Sequence, residues 1–284
     1  MTHGNTRIGP REFRWGERTY VMGILNVTPD SFSGDGLLAA QDALAAAVEQ
    51  ARAMAAEGAD LLDIGGESTR PGHVSVDEAE ELRRVVPVVR AVRAALPDMP
   101  LTIDTTKPAI AEAALDAGAN AINDIWGVAG EPGLVTVAAA RGVPIVLMHN
   151  RAESRYTDVV GEVRDSLRRA VDRAIEEGIP RSSVLIDPGI GFGKTAEQNL
   201  AVLHGLAALA DLGLPILLGT SRKSTLGKVL DLPPDQRVEA TLATTALGIA
   251  AGVDIVRVHD VRANVRAARI ADAIVRRTWH DPAT

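Results

Sequence analysis

A single-domain α/β chain folded as a (β/α)8 barrel is what the sequence predicts, on three observations. Eight apolar runs of strand length recur along the 284 residues, each stopping on polar groups. Long Ala-rich or Val/Leu-periodic stretches with helical spacing separate them. Six returns from helix to strand carry a glycine just past the helix end, at Gly58, Gly118, Gly142, Gly178, Gly213 and Gly252. Glycine there takes the left-handed conformation that closes a last helical turn without a Cβ penalty. Right-handed crossovers then place every helix outside a closed parallel sheet. An open doubly wound sheet is the alternative, but it would carry G-x-G-x-x-G after the first strand, and Gly23-Ile-Leu-Asn26 offers none.

The elements follow in order. Residues 1–20 form an N-terminal extension in which Arg7–Tyr20 alternates polar and apolar, with a turn at Trp15-Gly16-Glu17. This reads as a hairpin plugging one barrel end. Strands are expected at Val21–Val27, Asp60–Gly65, Leu101–Asp104, Ala121–Asp124, Ile145–His149, Val184–Asp187, Pro215–Thr220 and Asp254–His259, within a barrel spanning 21–278 and followed by a tail at 279–284. Two strand-to-helix loops, Thr28–Leu37 and Gly66–Ser75, are rich in Gly, Ser and Pro and read as lids.

Composition narrows the function. Hydrophobic content of 46% supports a large core, while a net charge of −7 with 3% aromatics argues against a nucleic-acid surface. There is no cysteine, hence no disulfide framework and no thiolate chemistry. The start lacks an apolar signal segment, and no run reaches the roughly 18 apolar residues of a membrane span, so the expectation is a cytoplasmic protein acting on small molecules, without nucleic-acid or membrane partners. Of only four lysines, Lys107, Lys194 and Lys223 fall just after predicted strands 3, 6 and 7.

In a barrel of this kind the chemistry gathers at the carboxyl ends of the strands. Those ends supply Asn26, Asp63, Asp104, Asn123 with Asp124, His149, Asp187, Ser221-Arg222-Lys223, and Arg257 with His259. Carboxylates and amides sit on strands 3, 4 and 6 and cations on 7 and 8, a division that fits a ligand with two unlike parts. The cations, with Arg70, suit phosphate or pyrophosphate. The acids and amides suit a flat heterocycle with an amidine-like edge.

Each residue also has a plainer reading. Asp104 could cap the helix starting near Lys107, Asp187 could form a turn before Pro188, and Asn123 could satisfy loop backbone. Asp63 reads as the partner of a neighbouring polar group, and His149 as either ligand or hydrogen-bonded filler. Arg257 and His259 alternate onto one face, where an unpaired charge is costly and an anion is the expected partner. No zinc-hydrolase pattern is present. Asn26 with Asp30 or Asp35 could hold magnesium only with pyrophosphate supplying further oxygens. A Schiff-base lysine fits poorly, since Lys223 lies past its strand beside Arg222.

These residues resemble the dihydropteroate synthases across Val21 to about Arg277, through seven stretches in order. They are Met-Gly-Ile-Leu-Asn26-Val-Thr-Pro-Asp-Ser-Phe-Ser, Asp63-Ile-Gly-Gly-Glu-Ser-Thr69-Arg70-Pro-Gly, Ile-Asp104-Thr-Thr-Lys-Pro, Ile-Asn123-Asp-Ile, Asp187-Pro-Gly-Ile-Gly-Phe192-Gly-Lys194, Ser221-Arg-Lys223-Ser and Arg257-Val-His259-Asp. The resemblance implies condensation of 6-hydroxymethyl-7,8-dihydropterin pyrophosphate with para-aminobenzoate, giving 7,8-dihydropteroate and pyrophosphate. It implies that Asp104, Asn123 and Asp187 hold the pterin edge and that Lys223 lies over the ring. Arg257 and His259 would take the pyrophosphate, and Asn26 a Mg2+ ion. Thr69, Arg70, Phe192, Ser221 and Ser224 would border the para-aminobenzoate site. Asp104, Lys223, Arg257 and His259 carry the chemistry in this reading. A homodimer through outer helices is also implied, with Thr241–Ala251 as a candidate contributor.

Two departures stand out. The first lid reads Ser33-Gly34-Asp35-Gly36 rather than Ser-Asp-Gly-Gly, and Asn150–Tyr156 replaces a Met-rich, Gly/Pro-containing loop. Three alternatives stay open at this level. They are a methyltetrahydrofolate methyltransferase, a catalytically silent pterin binder, and a synthase tolerant of sulfonamides, which mimic para-aminobenzoate.

Overall fold

The protein is described by a computed structural model covering residues 4–27, 37–66, 77–127 and 133–279. A two-stranded antiparallel hairpin, β1 (Asn5–Ile8) and β2 (Arg11–Arg14), precedes eight parallel strands. These are β3 (Tyr20–Asn26), β4 (Leu61–Gly65), β5 (Leu101–Asp104), β6 (Ala121–Asp124), β7 (Ile145–Met148), β8 (Val184–Asp187), β9 (Leu217–Leu218) and β10 (Ile255–Val258). The helices between and after them are α1 (Leu37–Ala56), α2 (Glu78–Ala95), α3 (Pro108–Ala117), α4 (Gly133–Arg141), α5 (Val159–Glu176), α6 (Ala196–His204), α7 (Ser224–Leu230), α8 (Val238–Ala250) and α9 (Val261–Val275).

Strand order runs β8-β7-β6-β5-β4-β3-β10-β9, and a parallel bridge between Ile186 and Ile216 closes the ring. The barrel is the predicted one. All six return glycines have positive φ, from 61° at Gly213 to 117° at Gly118. Seven strands lie within one residue of expectation, whereas the seventh, expected over Pro215–Thr220, is reduced to Leu217–Leu218. Pro215 has no N–H to give a ladder, so regular pairing begins only beyond it.

One expectation is corrected. The hairpin turns at Gly9-Pro10, where Gly9 has φ 56°; the expected turn at Trp15-Gly16-Glu17 is present, with Gly16 at φ 85°, but it leads from β2 toward β3 and does not join the hairpin strands. Pairing of Ile8 with Arg11 leaves only two residues for the turn, and Gly9 supplies the left-handed φ there. Trp15 instead starts the path into β3, its indole nitrogen donating to Thr6 Oγ1 at 2.8 Å.

The plug itself is as expected. Phe13, Trp15 and Tyr20 pack with centroids 4.8 to 5.5 Å apart. They cluster with Ile8 and with Met22, Leu61, Ala121, Val146, Leu185, Leu217 and Ile255 from seven barrel strands. A strand alternates its side chains with period two, so the next inward residue on several strands is polar: Asp63 above Leu61, Asn123 above Ala121, Asp187 above Leu185, Arg257 above Ile255. An apolar floor under a polar layer is therefore written into the strands. Outside, Val, Leu and Ile from both sheet and helices form the continuous main core.

Candidate active site

Asp63, fully buried at mid-strand, ties the polar layer together. Its Oδ2 accepts from Arg257 Nε at 2.6 Å and from Asn123 Nδ2 at 2.9 Å, while Oδ1 accepts from the Thr102 hydroxyl. This is the neighbour-pairing role expected of it. Because a carboxylate only accepts, the amide group facing it must be the NH2 of Asn123, and the Asn123 carbonyl is turned the other way. That Oδ1 is buried and has no hydrogen-bond partner among the described residues.

Asp104 shows the same pattern. Its Oδ2 accepts from Arg257 Nη2 at 2.5 Å, and its Oδ1 is buried without a partner among the described residues. Burial pushes the Asp104 carboxyl well above the ordinary carboxylate range; the Arg257 guanidinium opposes this and Asp63 reinforces it. The capping reading of Asp104 fails, because α3 is preceded by Lys107 with no side-chain cap. Asp187 is also raised by burial, with Lys223 opposing, and its Oδ1 accepts from Gly189 N at 2.7 Å. The turn-forming reading of Asp187 thus holds beside its place in the polar layer.

Lys223 stands across the mouth. Its Nζ donates to the Ile190 carbonyl and lies 4.3 Å from the Phe192 ring centroid. A Cβ built on Gly219 would lie 3.9 Å from Arg257 Cβ, 3.9 Å from Lys223 Nζ and 4.0 Å from Asp187 Oδ2, so these three side chains converge around a residue without one. Burial lowers the Lys223 ammonium to about 8, against the pull of Asp187. Ser221 Oγ accepts from His259 N at 3.1 Å and lies 2.9 Å from His259 Nδ1. Ser224 is exposed at the start of α7. Thr69, Arg70, Asp30, Asp35 and most of both lids lie outside the described residues.

Several cations sit differently from expectation. Arg257 was expected to need an external anion; instead two carboxylates already neutralise it, and only its Nη1 makes no hydrogen bond among the described residues. Arg222 is not part of an anion cluster, since its guanidinium pairs with Asp260 at 2.5 and 3.0 Å while its backbone is held at φ 57°. Lys107 binds Glu81 at 2.6 Å, where Thr105 also donates to Glu81. Lys194 donates to the carbonyls of its own loop. Of the three strand-following lysines, Lys223 is the one whose ammonium converges with Arg257 and Asp187 around Gly219.

His149 Nε2 lies 3.0 Å from the Tyr156 hydroxyl and burial depresses its pKa to about 3, which favours the neutral ring. Its Nδ1 is buried without a partner among the described residues, so hydrogen-bonded filler accounts for only one of its two ring nitrogens. Sequence reading did not single out Thr102, Glu81, Asn199 or Asp260 as supports. Thr102 could have been found, being two residues before Asp104 and so on the same strand face.

Asn26 is exposed at the carboxyl end of β3 and offers one neutral oxygen. Among the described residues no group of three or more acidic, His or Cys side chains could hold a metal. Magnesium keeps most of its water and binds through few protein oxygens plus substrate phosphate, so this donor set fits an ion that shares its shell with pyrophosphate. Two concavities of about 250 and 550 Å³ open at the amino end, beside Asp60 and beside the hairpin. Neither is lined by a buried, unpartnered side-chain atom, unlike the mouth. No helix among the described residues is long and apolar enough to cross a membrane.

Residues 22–259 match the model of a family described as pterin binding enzyme. A dihydropteroate synthase from Clostridium beijerinckii is 49% identical over 95% of this chain and 100% of its own length. The structure superposes on a Xanthomonas albilineans dihydropteroate synthase with 4-aminobenzoic acid, with TM-score 0.88, 43% identity, and coverage of 95% of this chain and 97% of that one. A second structure of that organism's enzyme, in complex with 7,8-dihydropteroate, gives TM-score 0.85 at 41% identity, covering 95% and 98%.

Proposed function

The chain belongs to the family of pterin-binding enzymes, and from that premise we propose how its barrel mouth condenses 6-hydroxymethyl-7,8-dihydropterin pyrophosphate with para-aminobenzoate. The activity is a transferase reaction, that of a dihydropteroate synthase. The observation that supports the placement is the pair of buried, unpartnered acceptors, Asp104 Oδ1 and Asn123 Oδ1, on neighbouring strands in register. A buried acceptor left unmade costs about 1–3 kcal/mol, so a ligand edge rich in N–H groups recovers that energy on binding.

In this reading Asp104, Asn123 and Asp187 accept from the pterin edge and Lys223 donates to the ring carbonyl. The amine nitrogen of para-aminobenzoate forms a bond to the exocyclic methylene as the carbon–oxygen bond to pyrophosphate breaks, its electron pair leaving with the pyrophosphate. The amine then loses a proton. Negative charge on Asp104 favours positive charge spreading into the pterin, while the open edge of Arg257 and His259 face the departing anion. Magnesium, when bound, supplies further neutralisation of the pyrophosphate, with Asn26 as its protein ligand. Thr69, Arg70, Phe192, Ser221 and Ser224 border the second substrate. No covalent intermediate is required.

The protein acts in the cytoplasm as a homodimer. Support for the dimer comes from Leu247 on α8 with Ile270 and Ile274 on α9, which are 70%, 65% and 72% exposed on helices packed together.

The test is turnover with both substrates and magnesium, following dihydropteroate, alongside Lys223→Ala. Turnover that collapses in the variant supports the reading. Pterin binding without turnover in the unmodified protein would move it to a silent binder.

A further inference from the structure

The loop Gly189–Lys194 carries Phe192, and it is held by more than its sequence length requires. Lys194, half-buried, donates from Nζ to Gly189 O at 2.9 Å and to Phe192 O at 3.1 Å. From α6, the buried Asn199 accepts from Gly191 N at 2.7 Å. The loop also lies hard against the segment after β7. A Cβ on Gly189 would meet His149 O at 1.9 Å and one on Gly193 would meet Arg151 O at 2.1 Å, both at positive φ. Among the described residues no carboxylate lies within ion-pair distance of the Lys194 ammonium. A desolvated lysine spent on two carbonyls of its own loop is costly unless the shape it enforces matters.

We propose that Lys194 is a positioning residue for the second substrate: by gathering the Gly189 and Phe192 carbonyls it holds the Phe192 ring beneath Lys223 as a wall of the arylamine site. This rests on the assignment of Phe192 to that site made above. Asp187 is fixed at the end of β8 by its ladder pairing with β7, and its bond from Gly189 N is its one tie to the clamped loop, so the pterin edge depends on the clamp far less than the Phe192 ring does.

Charge makes the claim testable. The groups facing Lys194 are Asp187 on β8, Lys223 before α7 and Arg151 after β7, with neutral His149 packing from the end of β7. Burial lowers Lys194 to about 7. As pH rises through that value the ammonium loses its proton, the bonds to the two carbonyls weaken, and affinity for the arylamine falls.

The experiment measures KM for para-aminobenzoate, the dissociation constant of the pterin pyrophosphate and kcat across pH for the full chain, Lys194→Met and Lys194→Arg. Amide exchange over residues 188–195 is followed in parallel. Lys194→Met is expected to raise KM about 10-fold while pterin affinity stays within about 3-fold, because a displaced wall acts on the substrate it touches. Unmodified protein should show KM rising with pH through about 7, and Lys194→Arg, which stays charged, should flatten that rise. An unchanged KM in Lys194→Met, a pH-independent KM in the unmodified protein, or pterin affinity falling in step with KM would each overturn the proposal. If the unmodified protein has no turnover, the reaction assigned above fails. The clamp is then decided by exchange: faster exchange confined to 188–195 in Lys194→Met upholds it, and unchanged exchange sinks it.

Discussion

Asp63→Asn is the substitution that probes the polar layer most sharply, because the side chain keeps its shape and loses its charge. Asp63 accepts from Thr102, Asn123 and Arg257, and an amide can present its oxygen to only one side. With that oxygen toward Asn123 and Arg257, the Asn123 bond becomes an ordinary neutral one and the Arg257 ion pair is reduced to a bond from a charged donor to a neutral oxygen. Breaking a buried ion pair costs about 3–5 kcal/mol. Asp104 remains to hold Arg257, so the expected loss is nearer 2–3 kcal/mol, about the worth of one bond to a charged group. At roughly 2–4 °C per kcal/mol for a chain of this size, thermal unfolding should fall by about 5–10 °C. Turnover should suffer more, since Asn123 and Arg257 lose their common anchor: a drop of about 10²-fold in kcat/KM for the pterin is expected. Asp63 also helps hold Asp104 high, so its neutralisation should move the acidic limb of the pH–rate profile to lower pH. Unfolding within about 1 °C of the parent together with kcat/KM within about twofold would refute the claim that Asp63 organises the site.

Two further outcomes follow from the same geometry. Lys223 sits at about 8, below an ordinary lysine, so kcat/KM should fall as pH rises beyond about 8 as the ammonium is lost. Its contribution to stability has the opposite sign: between about 8 and the ordinary lysine value the unfolded chain holds a proton the folded chain lacks, so folding gains as pH climbs. Activity and unfolding temperature measured over one pH series check both signs. At the other end of the barrel, Trp15→Ala should cost about 3–5 kcal/mol through the cavity left among Phe13, Tyr20 and the barrel floor, while kcat measured well below the unfolding temperature stays near the parent value. A loss of kcat out of proportion to stability would mean that the hairpin reaches the chemistry.

The fold was legible because its determinants are local. Apolar runs mark the strands, the return glycines mark the helix ends, and period-two alternation sets Asp63, Asn123, Asp187 and Arg257 facing inward. The hairpin connection was misplaced because Gly9-Pro10 and Trp15-Gly16 both form turns, and only the pairing of Asn5–Ile8 with Arg11–Arg14 shows which of them joins the strands. The acid and amide half of the site was readable from strand ends. Its pairings were not: Arg257 with Asp63 and Asp104 spans sequence separations of 194 and 153 residues, which no spacing rule reaches. The reading of Arg222 as part of an anion site failed for the same reason, since Asp260 lies 38 residues away and enters only through the β10 end.

The most direct measurement of the account is a structure of the protein with the pterin pyrophosphate bound. The pterin edge should donate to Asp104 Oδ1 and Asn123 Oδ1, with Lys223 Nζ at the ring carbonyl and Asp63 still holding Asn123 and Arg257. A pterin seated elsewhere, with both of those oxygens still unpartnered, would contradict it.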